Sequence, residues 1–251
     1  MDSQEQKQNS TNAPNPVPAI IPVLNTAPIP VSAIIPVLNA ADTLAATVAT
    51  IAWAAEIVVA DGGSTDSSPA QAALLNAQVL TVPRGRGSQL AAGVAAARHD
   101  WLLLLHADTR LTPEARAVVE THMARHPDRA GYFRFALHST NKRARVLERA
   151  VAWRCRILAL PYGDQGLLLH RDLLRHVGGI RPLPLMEDVD LVRRLGRRRL
   201  IALDAAAITS AVKWERDGWL RRSARNLCCL ALWFAGVAPH RIARLYRGSA
   251  G

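Results

Sequence analysis

Hydrophobic residues in the first half of the chain form short runs that alternate with alanine-rich stretches of helical spacing. The runs are too short for solitary helices and have the apolar, β-branched content of buried strands. We predict strands at residues 31–37, 56–60, 78–82 and 101–106, and helices at 42–53, 67–76 and 88–98. Such alternation predicts an α/β fold, a parallel sheet with helices on both faces.

The second half has a different pattern. We predict strands at 131–138 and 167–170, a basic amphipathic helix at 142–160, a helix from Met186 through Arg194 and amphipathic C-terminal helices within 219–247. The apolar core of the last segment, residues 227–238, is shorter than the roughly 20 residues that cross a bilayer. Two alternatives stay open: a helix packed on the domain, or an interfacial helix lying on anionic lipid.

Residues 1–30 are polar and proline-rich, and we expect a flexible tail. The tail contains a partial duplicate of the first strand, because residues 19–25 repeat the sequence of residues 33–39. We therefore expect three parts: the tail at 1–30, a main domain at 31–212 and a C-terminal amphipathic helical segment at 213–251.

Polar residues follow the apolar run Trp101 to Leu105 directly. His106 and Asp108 should emerge at the carboxyl edge of the sheet, where open α/β sheets hold ligands. A carboxylate there suits a hard cation such as Mg²⁺ or Mn²⁺, together with an anionic ligand. The alternative is that Asp108 caps a helix starting near Pro113.

The turns after the other predicted strands also carry residues that can bind a ligand at the same edge of the sheet. Asp61 can accept hydrogen bonds from a ribose or base, Gly63 lets the backbone approach a ligand, and Arg86 offers a cationic fork for a diphosphate. Each has a plainer alternative, because residues 61–66 also suit an ordinary turn and residues 84–87 a solvated basic loop.

Composition narrows the partners without choosing one. The chain is 49% hydrophobic, which excludes disorder throughout, and a net charge of +11 favours anionic partners: nucleic acid, nucleotide or sugar phosphates, or a membrane surface. No nucleic-acid-binding module is recognisable, so we expect no nucleic acid partner. The three cysteines form no paired framework, which favours a reducing cytosol.

The segments 31–39, 61–66, 106–109 and 187–188 together resemble the family 2 glycosyltransferases with the GT-A fold. The chain is most similar to a bacterial subgroup sometimes called selenodomain-associated transferase 2, on its His-Ala-Asp-Thr, Tyr-Gly-Asp-Gln and Pro-Leu-Met-Glu-Asp segments. The resemblance runs from about residue 31 to the C-terminus. It implies an α/β GT-A fold, that is, a Rossmann-like mixed, mostly parallel sheet with helices on both faces, plus C-terminal amphipathic helices.

The resemblance implies a nucleotide-sugar donor, with Mg²⁺ or Mn²⁺ ligated by Asp108 and bridging the donor diphosphate. The implied donor-binding residues are Pro36, Asn39, Asp61, Gly63, Arg86, Ala107, Asp108, Lys213 and Trp214. Two positions depart from the family pattern. Ala40 follows Asn39 where an acidic residue is usual, and His106 replaces the first aspartate of the metal motif. His106 is then either a weak second metal ligand or a polar wall of the site, and we favour the wall.

Catalytic roles follow from the same resemblance. Inverting sugar transfer needs a carboxylate that takes the proton of the acceptor hydroxyl, and Asp188 has that role by resemblance. Gly163, Asp164, Gln165 and Glu187 would bind the acceptor. The plainer alternatives are turn chemistry at Asp164 and Gln165, and helix-terminus electrostatics at Glu187 and Asp188.

The expected protein is a metal-dependent, hexosyltransferase-like inverting enzyme with an unidentified acceptor, a lipid-linked one being an open alternative. We expect it in the cytoplasm, with peripheral association on the inner face of the cell membrane as an alternative. A nucleotidyltransferase is the other enzyme considered, although residues 36–42 lack the phosphate-binding loop that it would need. A non-catalytic nucleotide-sugar or membrane-binding module is the alternative from another class.

Overall fold

A computed structural model describes residues 27–248, with side chains through Tyr246. Its centre is one eight-stranded sheet. The strands are β1 Ile29–Val37, β2 Ala54–Asp61, β3 Gln78–Thr81, β4 Trp101–Leu104, β5 Thr109–Leu111, β6 Ala130–His138, β7 Leu167–His170 and β8 Leu200–Ser210.

Helices cover both faces of this sheet and extend beyond it at the C-terminus. They are α1 Ala41–Ala49, α2 Ser68–Leu74, α3 Arg86–Ala96, α4 Ala115–Arg125, α5 Lys142–Leu158, α6 Arg171–His176, α7 Glu187–Leu195, α8 Val212–Asp217, α9 Trp219–Phe234 and α10 Pro239–Gly248. In the part of the chain described here, no helix is both long enough and apolar enough to span a bilayer.

The strand order is β3-β2-β1-β4-β7-β6-β8-β5. From β1 the chain builds β2 and β3 on one side, all parallel, and then returns to place β4 parallel on the other side of β1. This reversal makes the gap beyond the carboxyl ends of β1 and β4 the switch point where α/β sheets bind ligands. Antiparallel pairs follow at β4–β7, β6–β7 and β5–β8, while β6 and β8 are parallel.

Strand β1 is buried on both faces because its side chains alternate between two cores. Val31, Ala33 and Ile35 pack with α1, α2 and α4, whereas Ile34 packs with α3, α6 and α7. Helix α3 comes very close to β1, since a Cβ at Gly93 would lie 2.3 Å from Cγ2 of Ile34. This close contact fixes α3 against β1.

The predicted strands and helices are present, with shifted ends. Strand β1 begins at Ile29, two residues before the predicted start of the first strand at Val31. Ile29 is buried and its backbone N–H donates to the carbonyl of Trp53, which ties it into the sheet. The repeated segment 19–25 lies outside the described residues.

Three features of the second half were not predicted correctly. Strands β5 and β8 were missed: β5 has only three residues, and the alanine-rich sequence of β8 lacks strand character. The predicted apolar core 227–238 extends past the end of α9, because Gly236 adopts a positive φ of 78° and Pro239 opens α10.

Candidate active site

The loops that follow β1 and β2 are tied to each other at the sheet edge. Asn39 accepts a hydrogen bond from the N–H of Thr65 at 2.8 Å and donates its own N–H to Ser64 Oγ at 2.9 Å. Buried Asp61 accepts from the N–H groups of Gly63 and Ser64, both at 3.0 Å. Asp61 thus forms part of the turn, while its predicted donor-binding role stays a prediction. Asn39 and Gly63 are exposed at the loop surface.

Gln89 supports the same edge from beneath, and sequence reasoning missed it. Its amide N–H groups donate to the carbonyls of Val37 and Ala60, each at 2.7 Å. It therefore clamps the carboxyl ends of β1 and β2 from the first turns of α3. A single glutamine on a helix has no local signal for this role.

A chain of contacts links α3, β4 and α7 across the switch point. Arg86, the first residue of α3, contacts His106 Nε2 through its guanidinium and forms an ion pair with Glu187, the first residue of α7. Nε of Arg86 lies 2.9 Å from Oε1 of Glu187, whose side chain is only 1% exposed. The Arg86–Glu187 pair thus connects the predicted donor side of the site to the predicted acceptor side.

Burial is the largest cause of the pKa shifts of His106 and Glu187. Burial and, after it, the positive charge of Arg86 lower the pKa of His106 to about 3, so the ring is neutral at physiological pH. Burial also raises the pKa of Glu187 to about 7, although Arg86 favours its ionised form. A neutral imidazole suits either a polar wall or a weak metal ligand, so the role of His106 stays a prediction.

Asp188 is held by backbone groups on both oxygens. Its Oδ2 accepts from the N–H of Gly163 and its Oδ1 from the N–H of Val189, both at 2.8 Å. Gly163 has no room for a side chain, because a Cβ there would lie 2.6 Å from both Arg86 Nη2 and His106 Nε2. The lack of a side chain at Gly163 thus allows the loop before β7 to approach these residues.

Asp108 lies where β4 and β8 meet α8. Nζ of Lys213 lies 3.2 Å from its Oδ2, and the Thr209 hydroxyl lies 3.5 Å from its Oδ1. Burial alone would raise the pKa of Asp108, but Lys213, His106 and Arg86 together outweigh burial and place the pKa below its usual value. Asp108 does not cap α4, since that helix begins at Ala115 with Glu114 at its N-cap.

The two neighbouring polar residues of the 163–165 turn have different surroundings. Asp164 lines the cleft, and burial raises its pKa to about 6. Gln165 is buried under the turn, where its amide donates to the carbonyl of Phe133 and accepts from the N–H of Tyr162. Gln165 therefore supports the turn in this structure.

A cleft with about 940 Å³ of empty space brings most of these groups together. The predicted residues that line it are Arg86, Asp108, Asp164, Asp188, Lys213 and Trp214. Glu187 and Gly163 line a smaller adjoining cavity that shares Arg86, His106 and Asp188 with the cleft. Pro36 and Ala107 belong to the strand ends behind it, Pro36 half-buried and Ala107 buried.

The C-terminal helices form one wall of the cleft, which sequence reasoning did not predict. Arg222, Asn226 and Cys229 of α9 and Tyr246 of α10 line it. Trp214 stacks on Trp219 with ring centroids 6.1 Å apart, and both belong to a hydrophobic cluster with β6 and α5. This packing explains why residues so late in the chain reach the site.

The side chains can hold a divalent cation only together with an anionic ligand. Among residues 27–248, no three His, Cys, Asp or Glu side chains form a metal-binding group. Asp108 offers one carboxylate of lowered pKa at the cleft, and Mg²⁺ is commonly held by one or two carboxylates plus substrate phosphates. Asp108 therefore fits a cation that binds together with a diphosphate.

Comparison with known families identifies the chain. The model of Glycosyl transferase family 2 matches residues 32–175, more than half of the sequence. The chain belongs to glycosyltransferase family 2. The matched region contains the loops of Asn39, Asp61, Arg86 and Asp108 and ends before α7, so Asp188 and Lys213 lie outside it.

Solved structures with similar folds support the GT-A assignment. Glucosyl-3-phosphoglycerate synthase from Mycobacterium tuberculosis, in complex with Mn²⁺ and UDP-glucose, has a TM-score of 0.51 at 18% identity, over 72% of this chain and 69% of that one. TarS 1-349 from S. aureus has a TM-score of 0.55 at 16% identity, and the match covers 73% of this chain and 61% of that one. A mycobacterial protein has a TM-score of 0.50 at 22% identity, over 72% and 64%.

This chain thus covers less than two thirds of TarS 1-349 and of the mycobacterial protein. At such identities the likeness concerns the fold alone. The predicted GT-A fold and membership of family 2 are confirmed, whereas the subgroup stays a prediction.

We expect Gly163→Ala to reduce turnover with a nucleotide-sugar by at least about tenfold, because the added methyl group displaces Arg86 and His106. Steady-state kinetics would measure the loss, and thermal unfolding would show whether the fold persists. In a His106→Ala background one of the two clashing groups is gone, so the same change should cost less. An equal loss in both backgrounds would contradict this account.

We expect Glu187→Gln to change how stability depends on pH. The raised pKa means that the folded protein keeps a proton on Glu187 that the unfolded chain loses near pH 4.5. Wild type should therefore lose about 3 kcal/mol of stability relative to the variant as the pH rises from about 4.5 to about 7. Urea unfolding across this range would measure it.

The half-exposed Glu120→Gln provides a control, since its carboxylate forms only a surface ion pair on α4. Its stability difference from wild type should be nearly independent of pH. A pH-independent difference for Glu187→Gln would show that Glu187 ionises normally in the folded protein.

Proposed function

We propose that this protein is an inverting, metal-dependent glycosyltransferase that moves a sugar from a nucleotide-sugar donor to an acceptor hydroxyl. Membership of family 2 supports the reaction class. The observation that carries the proposal is the cleft in which Asp108, Arg86 and Lys213 lie with Asp188. It combines groups for an anionic leaving group with a carboxylate for proton transfer.

Donor binding is proposed along the carboxyl edge of β1, β2 and β4. The nucleoside would lie near Pro36, Asn39, Asp61 and Gly63, and its diphosphate near Ala107, Asp108, Arg86, Lys213 and Trp214. The cation Mg²⁺ or Mn²⁺, held by Asp108 and the diphosphate, would supply Lewis-acid stabilisation of the leaving group. The structures of glucosyl-3-phosphoglycerate synthase with Mn²⁺ and UDP-glucose support this choice of partners by analogy.

Positive charge in the cleft supports departure of the nucleoside diphosphate. Arg86 can contact phosphate oxygens with its guanidinium, and Lys213, which lies 3.2 Å from Asp108, adds a second cation. Lysine brings charge without a bidentate fork. Arg86 and Lys213 would stabilise the negative charge that develops on the diphosphate as its bond to the sugar breaks.

Proton transfer is proposed at Asp188. The acceptor hydroxyl gives its proton to the Asp188 carboxylate as its oxygen forms a bond to the anomeric carbon, while the bond from that carbon to the diphosphate oxygen breaks. Attack from the face opposite the leaving group inverts the configuration. The hydrogen bonds from Gly163 and Val189 fix the orientation of the base, and Gly163, Asp164, Gln165 and Glu187 frame the acceptor side.

We expect Asp188→Asn to lower turnover by about 10²–10⁴-fold while donor affinity stays within about threefold, because the amide keeps the shape and loses the base. UDP-, GDP- and dTDP-sugars would first be screened by calorimetry. Release of nucleoside diphosphate from the donor that binds, with water as acceptor, then gives the rate.

Asp172→Asn is the matched control, since Asp172 is an exposed residue of α6 outside the cleft, and it should behave as wild type. Wild-type turnover in Asp188→Asn would refute the assignment of the base. Turnover absent from every protein, with donor binding intact, would favour the non-catalytic module.

A further inference from the structure

Exposed large apolar side chains are concentrated on four helices. Ten such residues occur in the described part of the chain, and nine of them lie on α5, α8, α9 and α10. The nine are Val146, Trp153, Ile157, Leu158, Val212, Leu220, Leu227, Phe234 and Leu245. The tenth is Leu74, on α2. Clustered exposed apolar residues mark interaction surfaces, whereas scattered single ones do not.

The same segments carry the positive charge of the molecule. Residues 142–158 contain six Lys and Arg residues and one Glu, which gives a net charge of +5. Residues 212–248 contain eight Lys and Arg residues and two acidic residues, which gives a net charge of +6. Together these equal the net charge of the whole chain, +11, so all other residues sum to zero. Apolar exposure and positive charge thus coincide.

The two segments meet in one hydrophobic cluster. Val151 and Cys155 of α5 pack in one hydrophobic cluster with Trp219, the first residue of α9. We call the outer surface of these helices the basic apolar face, defined by the nine exposed residues named above. Exposed Arg221, Arg241 and Arg244 border it, and none of these three forms an ion pair within residues 27–248.

Helix α9 has one side that is exposed and another that lines the cleft. Leu220, Leu227 and Phe234 recur every seven residues, which places them on one face, and they are 86%, 63% and 50% exposed. The residues of α9 that line the cleft, Arg222, Asn226 and Cys229, are more deeply placed. The cleft therefore lies about one helix diameter, roughly 10 Å, from the basic apolar face.

We propose that the basic apolar face docks on an anionic lipid bilayer, with α9 lying in the interface. Apolar side chains would enter the acyl boundary while the arginines contact lipid phosphates, and Trp153 suits the headgroup level. A second copy of the chain is disfavoured as the occupant, because two faces of this charge would repel each other. Helix α9 would then be packed on the domain through one side and lie on anionic lipid through the other, which combines the two alternatives expected from the sequence.

Membrane docking would place the acceptor at the bilayer surface. This part of the proposal rests on the proposed function. A cleft bounded by α9 would open close to the membrane surface, so an acceptor carried by a lipid could reach Asp188 without leaving the bilayer. Membrane docking itself requires neither a donor nor turnover.

The test is co-sedimentation with vesicles of phosphatidylcholine alone or mixed with phosphatidylglycerol. Wild type should bind the anionic vesicles and bind neutral ones at least about tenfold more weakly, with binding reduced by salt. The combined change Leu220→Gln, Leu227→Gln and Phe234→Gln should weaken anionic-vesicle binding by more than about tenfold. Leu74→Gln, a change at an equally exposed leucine, should have no effect.

Donor binding by the triple variant, measured by calorimetry, would show that its cleft is intact. Absence of wild-type binding to anionic vesicles would overturn the proposal, as would unchanged binding by the triple variant. Concentration-dependent dimers in light scattering that the triple variant abolishes, without vesicle binding by wild type, would assign the face to a second copy. Vesicle binding without any donor binding would uphold docking while the proposed transferase function fails.

Discussion

The ion pair between Arg86 and Glu187 is the contact on which the organisation of the site depends. It joins the first turn of α3, which packs on β1, to the first turn of α7, which carries Asp188. Glu187 is buried, so removing either partner would leave an uncompensated charge or force a protonation change. His106 and Gly163 pack against the same guanidinium, which leaves little freedom in the relative position of donor and acceptor groups.

The C-terminal helices form the other wall of the cleft that this ion pair organises. Lys213 of α8 reaches Asp108, and α9 and α10 close the far side of the cleft. The same helices expose their other side as a basic, apolar surface. One set of helices thus separates the proposed transfer chemistry from the proposed lipid surface, which would couple acceptor access to the position of α9.

Much of the first half could be predicted from the sequence, because buried parallel strands and the polar turns after them leave a strong periodic signal. The apolar run before His106 and Asp108 placed both at a strand end, and the alternation of β1 to β4 placed Arg86 at the same edge. Strand β8 could not be predicted, since its alanines become a strand only by pairing with β6 and β5. The contacts of Gln89, the Lys213–Asp108 pair and the wall formed by Arg222 and Tyr246 depend on tertiary packing, which spacing along the chain does not encode.

Metal-dependent donor binding at Asp108 can be measured by calorimetry with UDP-, GDP- and dTDP-sugars, wild type and Asp108→Asn, in Mn²⁺ and in chelator. We expect wild type to bind one class of donor in Mn²⁺ at least about tenfold more tightly than in chelator, and Asp108→Asn to lose this difference. Equal affinity of wild type under both conditions, or an undiminished Mn²⁺ effect in Asp108→Asn, would contradict this expectation.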